Sequence, residues 1–181
     1  MTRAAVLAPG YAGGATQPVL RALAKALAAY GIEALPMEFG TRGRRPSRDY
    51  AAELADLRVA RDELRASHRL VALVGRSFGG RMCALLASEE PPDALAIVGH
   101  PIAPRDRPRP RDEAALQGIR CRTLVVQGAR DELGPVAVLE RIAAQNPLID
   151  LVVIPDAGHD LGAREREAVE HVARWLDAAL R

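Results

Sequence analysis

Lysine is almost missing from this chain. Of 25 basic side chains, one, Lys25, is lysine and the rest are arginine. A Walker-type phosphate loop ends in Gly-Lys-Ser/Thr, and nothing of that form occurs. With the abundant alanine, the arginine excess looks like the codon bias of a GC-rich genome, so basic clusters are weak signs of a binding site. Aromatic residues are 3% of the chain, too few for stacking platforms that bind single-stranded nucleic acid. Cysteine occurs twice, as Cys83 and Cys121, with no metal-type spacing. Each sits in an apolar segment and reads as a buried, reduced thiol. No apolar run approaches membrane-spanning length. Ala4 to Ala8 is too short for the core of a secretory leader and runs into Pro9-Gly10. The net charge of +2 supplies no strong field toward nucleic acid or membrane. The expectation is a soluble, cytoplasmic protein with no nucleic-acid or membrane partner, no metal and no cofactor.

The chain has 181 residues, 49% of them hydrophobic. That suffices for one domain, 1–181, with a sizeable core. The stretch from Leu70 to Leu85 organises it. Leu70 to Val74 is a short apolar run without polar breaks, the pattern of a parallel strand covered on both faces. Gly75-Arg76-Ser77-Phe78-Gly79 follows at once, and Gly80 to Ser88 reads as a helix. Strand, sharp turn and helix with G-x-S-x-G at the turn form the nucleophile-elbow pattern. The three fixed positions match by chance in roughly one window in 3,000. Side chains larger than hydrogen at Gly75 and Gly79 would collide with neighbouring elements.

Five more strands are expected. They are Ala4 to Ala8, Ile32 to Phe39, Ala94 to Val98, Thr123 to Gln127 and Leu151 to Ile154. Pro36 suits an edge strand better than a central one. Between them, Val19, Leu20, Leu23, Leu27 and Tyr30 mark one helix face, stopped by Gly31. Ser47 reads as the N-cap of the next helix with Asp49 in its first turn, and Tyr50, Leu54, Leu57 and Leu64 line its inner face. His100 to Gln117 reads as largely irregular. Pro135 starts a further helix, and Val169, Val172, Leu176 and Leu180 mark the last. Buried strands alternating with helices imply a mostly parallel sheet with helices on both faces.

In such sheets, ligands gather at the carboxyl ends of the strands. Three candidates lie there: Ser77 after the third strand, Asp131 after the fifth and His159 after the sixth. A serine hydroxyl needs a base, and the base needs a group that fixes its tautomer. The order Ser, Asp, His is that of the α/β-hydrolase arrangement. Glu132, Asp156 and Asp160 are rival acids, and His100 is a rival base. Asp131 also suits a helix cap, and His159 a solvated loop.

Gly75-Arg-Ser-Phe-Gly-Gly80, Val126-Gln-Gly-Ala-Arg-Asp131 and Ala157-Gly-His-Asp-Leu161 resemble the three signature blocks of the α/β-hydrolase superfamily. Nearly the whole chain is similar to its small branch near the dienelactone hydrolases, and Gly99-His-Pro-Ile-Ala-Pro104 resembles a loop of that branch. The resemblance implies a minimal α/β-hydrolase fold without a cap domain. It also implies nucleophile Ser77, acid Asp131, base His159, and an oxyanion hole that includes the Phe78 N–H. The loop after the first strand departs from the usual His-Gly-x-Gly, reading Pro9-Gly10-Tyr11-Ala12. That leaves Tyr11 N–H as the expected second donor and Ala12 as the next. Ala12, Arg76 and His100 are expected near the substrate. Dienelactone hydrolases proper carry cysteine at the elbow, so their substrate does not transfer to a serine. The activity implied is hydrolysis of a small acyl ester or thioester through an acyl-enzyme, each oxyanion donor contributing about 3 kcal/mol. A binding or scaffold protein on the same fold, or an acyltransferase, are the alternatives. Arg42, Arg44 and Arg45, with the arginines of Arg105 to Arg111, form either a basic rim or ordinary solvated surface.

Overall fold

The computed structural model describes residues 2–181. Six strands form one parallel sheet: β1 (Arg3–Ala8), β2 (Ile32–Pro36), β3 (Leu70–Arg76), β4 (Ala94–Val98), β5 (Thr123–Gly128) and β6 (Ile149–Ile154). Six α-helices connect and cover them: α1 (Pro18–Ala28), α2 (Ala51–Arg65), α3 (Phe78–Glu89), α4 (Pro110–Gln117), α5 (Val136–Gln145) and α6 (Glu165–Ala179). The strand order is β2-β1-β3-β4-β5-β6. This is the expected minimal α/β-hydrolase architecture, with no cap domain among the described residues.

The order dictates the layers. From β1 the chain steps outward to β2, then jumps back past β1 to β3 and proceeds the other way to β6. Crossovers between parallel strands are right-handed, so reversing direction puts the connecting helix on the opposite face. The side-chain packing agrees. Val6, Leu73, Leu95 and Ile97 pack with residues of α2, α3, α4 and α5 on one face. Leu7, Val74, Ala96 and Val126 pack with α1 and α6 on the other. Alternate residues of one strand serve opposite cores, the period of two that a strand covered on both sides requires. The reversal lies between β1 and β3, where the loops leaving the two strands diverge and open a crevice.

Three local expectations are corrected. The second strand pairs only over Ile32–Pro36, not to Phe39. It lies at the sheet edge, where Pro36 interrupts no neighbour, and beyond it Phe39 turns into the core. The segment read as irregular contains α4. Pro110 stands in its first turn with Asp112 and Glu113, which suit Pro's fixed φ and the positive helix end. Asp112 is buried and forks onto Arg81 of α3, at 2.8 and 3.1 Å. Third, Asp49 is not in the first turn of α2. Asp49 and Tyr50 are left-handed, at φ 54° and 60°, in a single 3-10 turn, and α2 begins at Ala51. Ser47 still serves the helix across that turn, its Oγ accepting the Ala52 N–H at 3.0 Å.

Glu53, in the first turn of α2, is wholly buried. Its carboxylate accepts the Thr41 hydroxyl at 2.6 Å, the Ser47 N–H at 2.9 Å and the Ser47 hydroxyl. One side chain thereby ties both ends of the Thr41–Ser47 loop to α2. Burial alone would raise its pKa, but the hydrogen bonds from Ser47 and Thr41 outweigh burial and hold it below the ordinary carboxylate value. A folded-state pKa below the unfolded one means stability that is full above the unfolded value, near pH 4.5, and is lost as pH falls through the folded one. Glu53→Gln, which faces the same donors with an amide, should cost about 1–3 kcal/mol at neutral pH. The penalty should shrink as pH falls below about 4.5. Urea denaturation of both proteins across that range measures it, and a pH-independent difference would refute the account.

Candidate active site

Ser77 joins β3 directly to α3, so the chain must reverse within one residue. Its backbone sits at φ 50° and ψ −112°, a region that side chains strongly disfavour. The turn is fixed from both sides. The Ser77 N–H donates to Val98 O at 3.0 Å, and its carbonyl accepts the Arg81 N–H at 3.0 Å. A Cβ on Gly79 would run into the Ala8 and Pro9 carbonyls at the end of β1. One on Gly75 would run into the backbone of Gly79 and Gly80. The helix start is thus pressed against two strand ends, as the glycine spacing requires.

The three expected chemical groups meet at this end of the sheet. Ser77 Oγ lies 2.8 Å from His159 Nε2, and His159 Nδ1 lies 2.8 Å from Asp131 Oδ2. The carboxylate at Nδ1 assigns the imidazole proton to that nitrogen and leaves Nε2 to accept from the serine. Asp131 is 3% exposed. Its Oδ1 accepts the Leu133 N–H at 2.9 Å, and its Oδ2 also accepts from Gln127 Nε2 at 2.7 Å. The rival acids lie elsewhere. Asp156 is exposed and paired with Arg130, and Glu132 and Asp160 are exposed.

Gln127 was not singled out from the sequence. It is wholly buried at the end of β5. Its amide nitrogen donates to Asp131 and, at 2.8 Å, to Gly134 O, while its oxygen accepts the His100 N–H at 2.7 Å. A glutamine in an otherwise apolar strand is the available signal, since a buried amide must find partners. His100 itself is corrected. It was expected near the substrate, but its side chain is wholly buried. Burial pushes its imidazole down to about 4, so it is neutral and does not serve as the rival base.

The first-turn N–H groups of α3, starting with Phe78, lack intrahelical acceptors and carry the positive end of the helix dipole. Across the crevice, the Pro9–Gly14 loop is braced by Gln17. The Gly10 N–H goes to Gln17 Oε1 at 2.9 Å, and the Gly13 N–H to Gly10 O at 2.9 Å. Tyr11 and Ala12 have no such acceptor for their N–H groups among the described residues, which leaves both expected donors available. Ala12 is left-handed, at φ 56°.

The scarce aromatics are not scattered. Of six in the chain, Tyr11, Phe39 and Tyr50 stand edge-on around the fourth, Phe78, with centroids 6.0, 5.6 and 6.2 Å away. A narrow slot beside Phe78 is lined by Gly10, Tyr11, Phe39, Arg42 and Arg44. Arg42 is paired with Glu38 at 2.9 Å. Arg109 donates to Pro101 O and Arg111 to Asp49 O, so two of the arginines that could form a basic rim are engaged in holding loops. Cys83 and Cys121 are both buried, and burial pushes both thiols up.

A family model described as alpha/beta hydrolase domain matches residues 2–181. The chain belongs to the alpha/beta hydrolase family. Among solved structures it is similar to a dienelactone hydrolase from Anabaena variabilis, at 24% identity and a TM-score of 0.81, covering 99% of this chain and 88% of that one. An alpha-beta serine hydrolase homologue from Coxiella burnetii is 25% identical at a TM-score of 0.79, with 97% and 85% covered. An esterase from Pyrococcus furiosus is 16% identical at 0.81, with 99% and 83% covered. A comparison with curated proteins gives no match. The dienelactone hydrolase and the esterase, both below 25% identity, show the shared fold. No helix among the described residues is long and apolar enough to cross a membrane.

The strain at position 77 is measurable apart from activity. Ser77→Gly, which adopts positive φ freely, should be more stable than Ser77→Ala by about 1–2 kcal/mol. An ordinary helix N-cap already favours glycine over alanine, by up to about 1 kcal/mol, so the strain is read in the excess over that. Denaturant unfolding of the two variants decides it, and an alanine variant of equal or greater stability would refute the strained elbow.

Proposed function

We propose that this alpha/beta hydrolase is a serine hydrolase that cleaves a small acyl ester or thioester through an acyl-enzyme. The observation that carries the proposal is the pair of 2.8 Å contacts from Ser77 Oγ to His159 and from His159 to buried Asp131. His159 Nε2 takes the hydroxyl proton as Ser77 Oγ attacks the substrate carbonyl carbon. Asp131 holds the ring in the tautomer with Nδ1 protonated and stabilises the imidazolium that forms. The Phe78 N–H and a donor from the Pro9–Gly14 loop, Tyr11 in the first instance and Ala12 next, stabilise the oxyanion as it develops. The imidazolium then protonates the leaving alcohol or thiol. Water, deprotonated by the same histidine, attacks the acyl carbon, and the imidazolium returns the proton to Ser77 Oγ as its bond to the acyl carbon breaks and the acid leaves. The aromatic wall around Phe78 offers an apolar group of the substrate a place beside the nucleophile.

The test is labelling with a fluorophosphonate, which phosphonylates an activated serine. The natural protein should be labelled, and Ser77→Ala and His159→Ala should not. Asp131→Asn should label roughly 10³- to 10⁴-fold more slowly, because the amide orients the wrong tautomer. Short acyl esters and thioesters, with added alcohols as competing acceptors, then separate hydrolysis from acyl transfer. A well-folded natural protein that resists labelling would overturn the proposal in favour of a binding role for the fold.

A further inference from the structure

Arg76 is the residue between Gly75 and Ser77, and it is 8% exposed. A buried guanidinium ordinarily meets a carboxylate, as Arg81 meets Asp112 in this protein. Arg76 has no such ion pair among the described residues. Its Nη1 donates to Val98 O at 3.3 Å, and its Nη2 donates to the carbonyl of His159. Nη1 also lies 3.5 Å from His159 Nε2, the nitrogen that faces Ser77. One planar fork therefore joins the end of β4 to the main chain of the expected base, from a root one residue before the expected nucleophile.

The surroundings make room for this fork. Gly99, directly after Val98, is left-handed at φ 64°, and a Cβ there would come within 2.6 Å of Arg76 Nη1. The loop carrying His159 leaves β6 at the sheet edge and has few other ties to the centre. Arg130 N–H holds Ala157 O at 2.8 Å, and Leu161 N–H holds Gly158 O at 3.2 Å. Both lie on the Asp131 side or within the loop itself, and the Ser77 contact reaches only the imidazole, so Arg76 supplies the tie of the loop's main chain toward β3 and β4. Burial pushes its guanidinium below the ordinary arginine value, with Asp131, Glu165 and Asp160 offsetting that through space. A charge held under those conditions reports a geometric demand that an apolar side chain cannot meet.

We propose that Arg76 is a positioning residue for the base: its guanidinium clamps the His159 main chain against the end of β4 and so sets the distance from Nε2 to Ser77 Oγ. The inference rests on the serine hydrolase reading of the site. It predicts an effect on turnover rather than on substrate affinity, because the clamp touches the base and not the slot beside Phe78. A displacement of about 1 Å between reacting groups costs on the order of 10²-fold in rate.

The experiment compares the natural protein with Arg76→Ala and Arg76→Lys. In Arg76→Ala the fluorophosphonate labelling rate should fall by roughly 10- to 100-fold. The kcat for a short ester should fall in parallel while KM changes less than about twofold. Arg76→Lys, which keeps one donor at the same place, should recover part of the loss. Millimolar guanidinium should accelerate Arg76→Ala but neither the natural protein nor His159→Ala. Labelling of Arg76→Ala within about twofold of the natural rate would overturn the proposal. So would equal losses in both variants with no response to guanidinium. Amide hydrogen exchange across residues 156–161, which should quicken in Arg76→Ala, reads the clamp without chemistry. It also covers the case in which the natural protein does not label. The serine hydrolase reading then fails on its own, and unchanged exchange would separately dispose of the clamp.

Discussion

The arrangement of this molecule depends on one close approach, between the start of α3 and the ends of β1 and β3. The helix lies so near these strands that no side chain fits at Gly75 or Gly79, and the intervening Ser77 is forced to positive φ. That contact aligns the first-turn N–H groups of α3 with the crevice at the point where strand order reverses. It also sets the origin from which the other site residues are measured. Asp131 and His159 come to it on loops from β5 and β6, two and three strands from β3. Rigid parallel pairing carries the geometry across that distance.

Much of this was legible in the sequence because it rests on local signals. The four inner strands carry apolar runs of the kind that two-sided burial selects, and the elbow is a contiguous pentapeptide. Asp131 and His159 were recognisable because each follows a strand end, which fixes its edge of the sheet. The misread elements depend on partners remote in the chain. α4 has Pro110, Asp112 and Glu113 as start signals, yet the alternating Arg and Pro before it look like an extended linker, and the Arg81–Asp112 pair that anchors it spans 31 residues. The left-handed turn at Asp49 and Tyr50 brings the Tyr50 hydroxyl to Arg81, 3.0 Å away, a destination that local propensity does not contain. His100 has the chemistry of a site residue, and only the packing around it reveals that it is sealed off.

The arginines also look different in three dimensions. Composition made them unpromising, and many are indeed structural. Arg61 links Glu90 and Asp62, Arg58 links Glu89 and Glu90, and Arg3 holds Asp177 and the Tyr30 carbonyl. Each presents a planar fork with several donors, which a lysine ammonium does not offer. A chain rich in arginine thus gains cross-links between elements. The aromatics show the reverse. Few as they are, four of the six stand together at Phe78 and give the crevice an apolar wall.

The proposed nucleophile and base are 82 residues apart in sequence, and three further strands pair before the loop carrying His159 comes home. Contacts of such separation form late, because the chain entropy lost in closing them is recovered only when the intervening structure is in place. The elbow, by contrast, requires little more than β1, β3, the start of α3 and the Val98 carbonyl at the end of β4. A chain emerging in N-to-C order would therefore display its serine well before it owned a base. On the proposed reading, reactivity and nativeness are tied together: a copy without the far edge of the sheet lacks the base that its serine needs, and acquiring function would mark the closing of that edge.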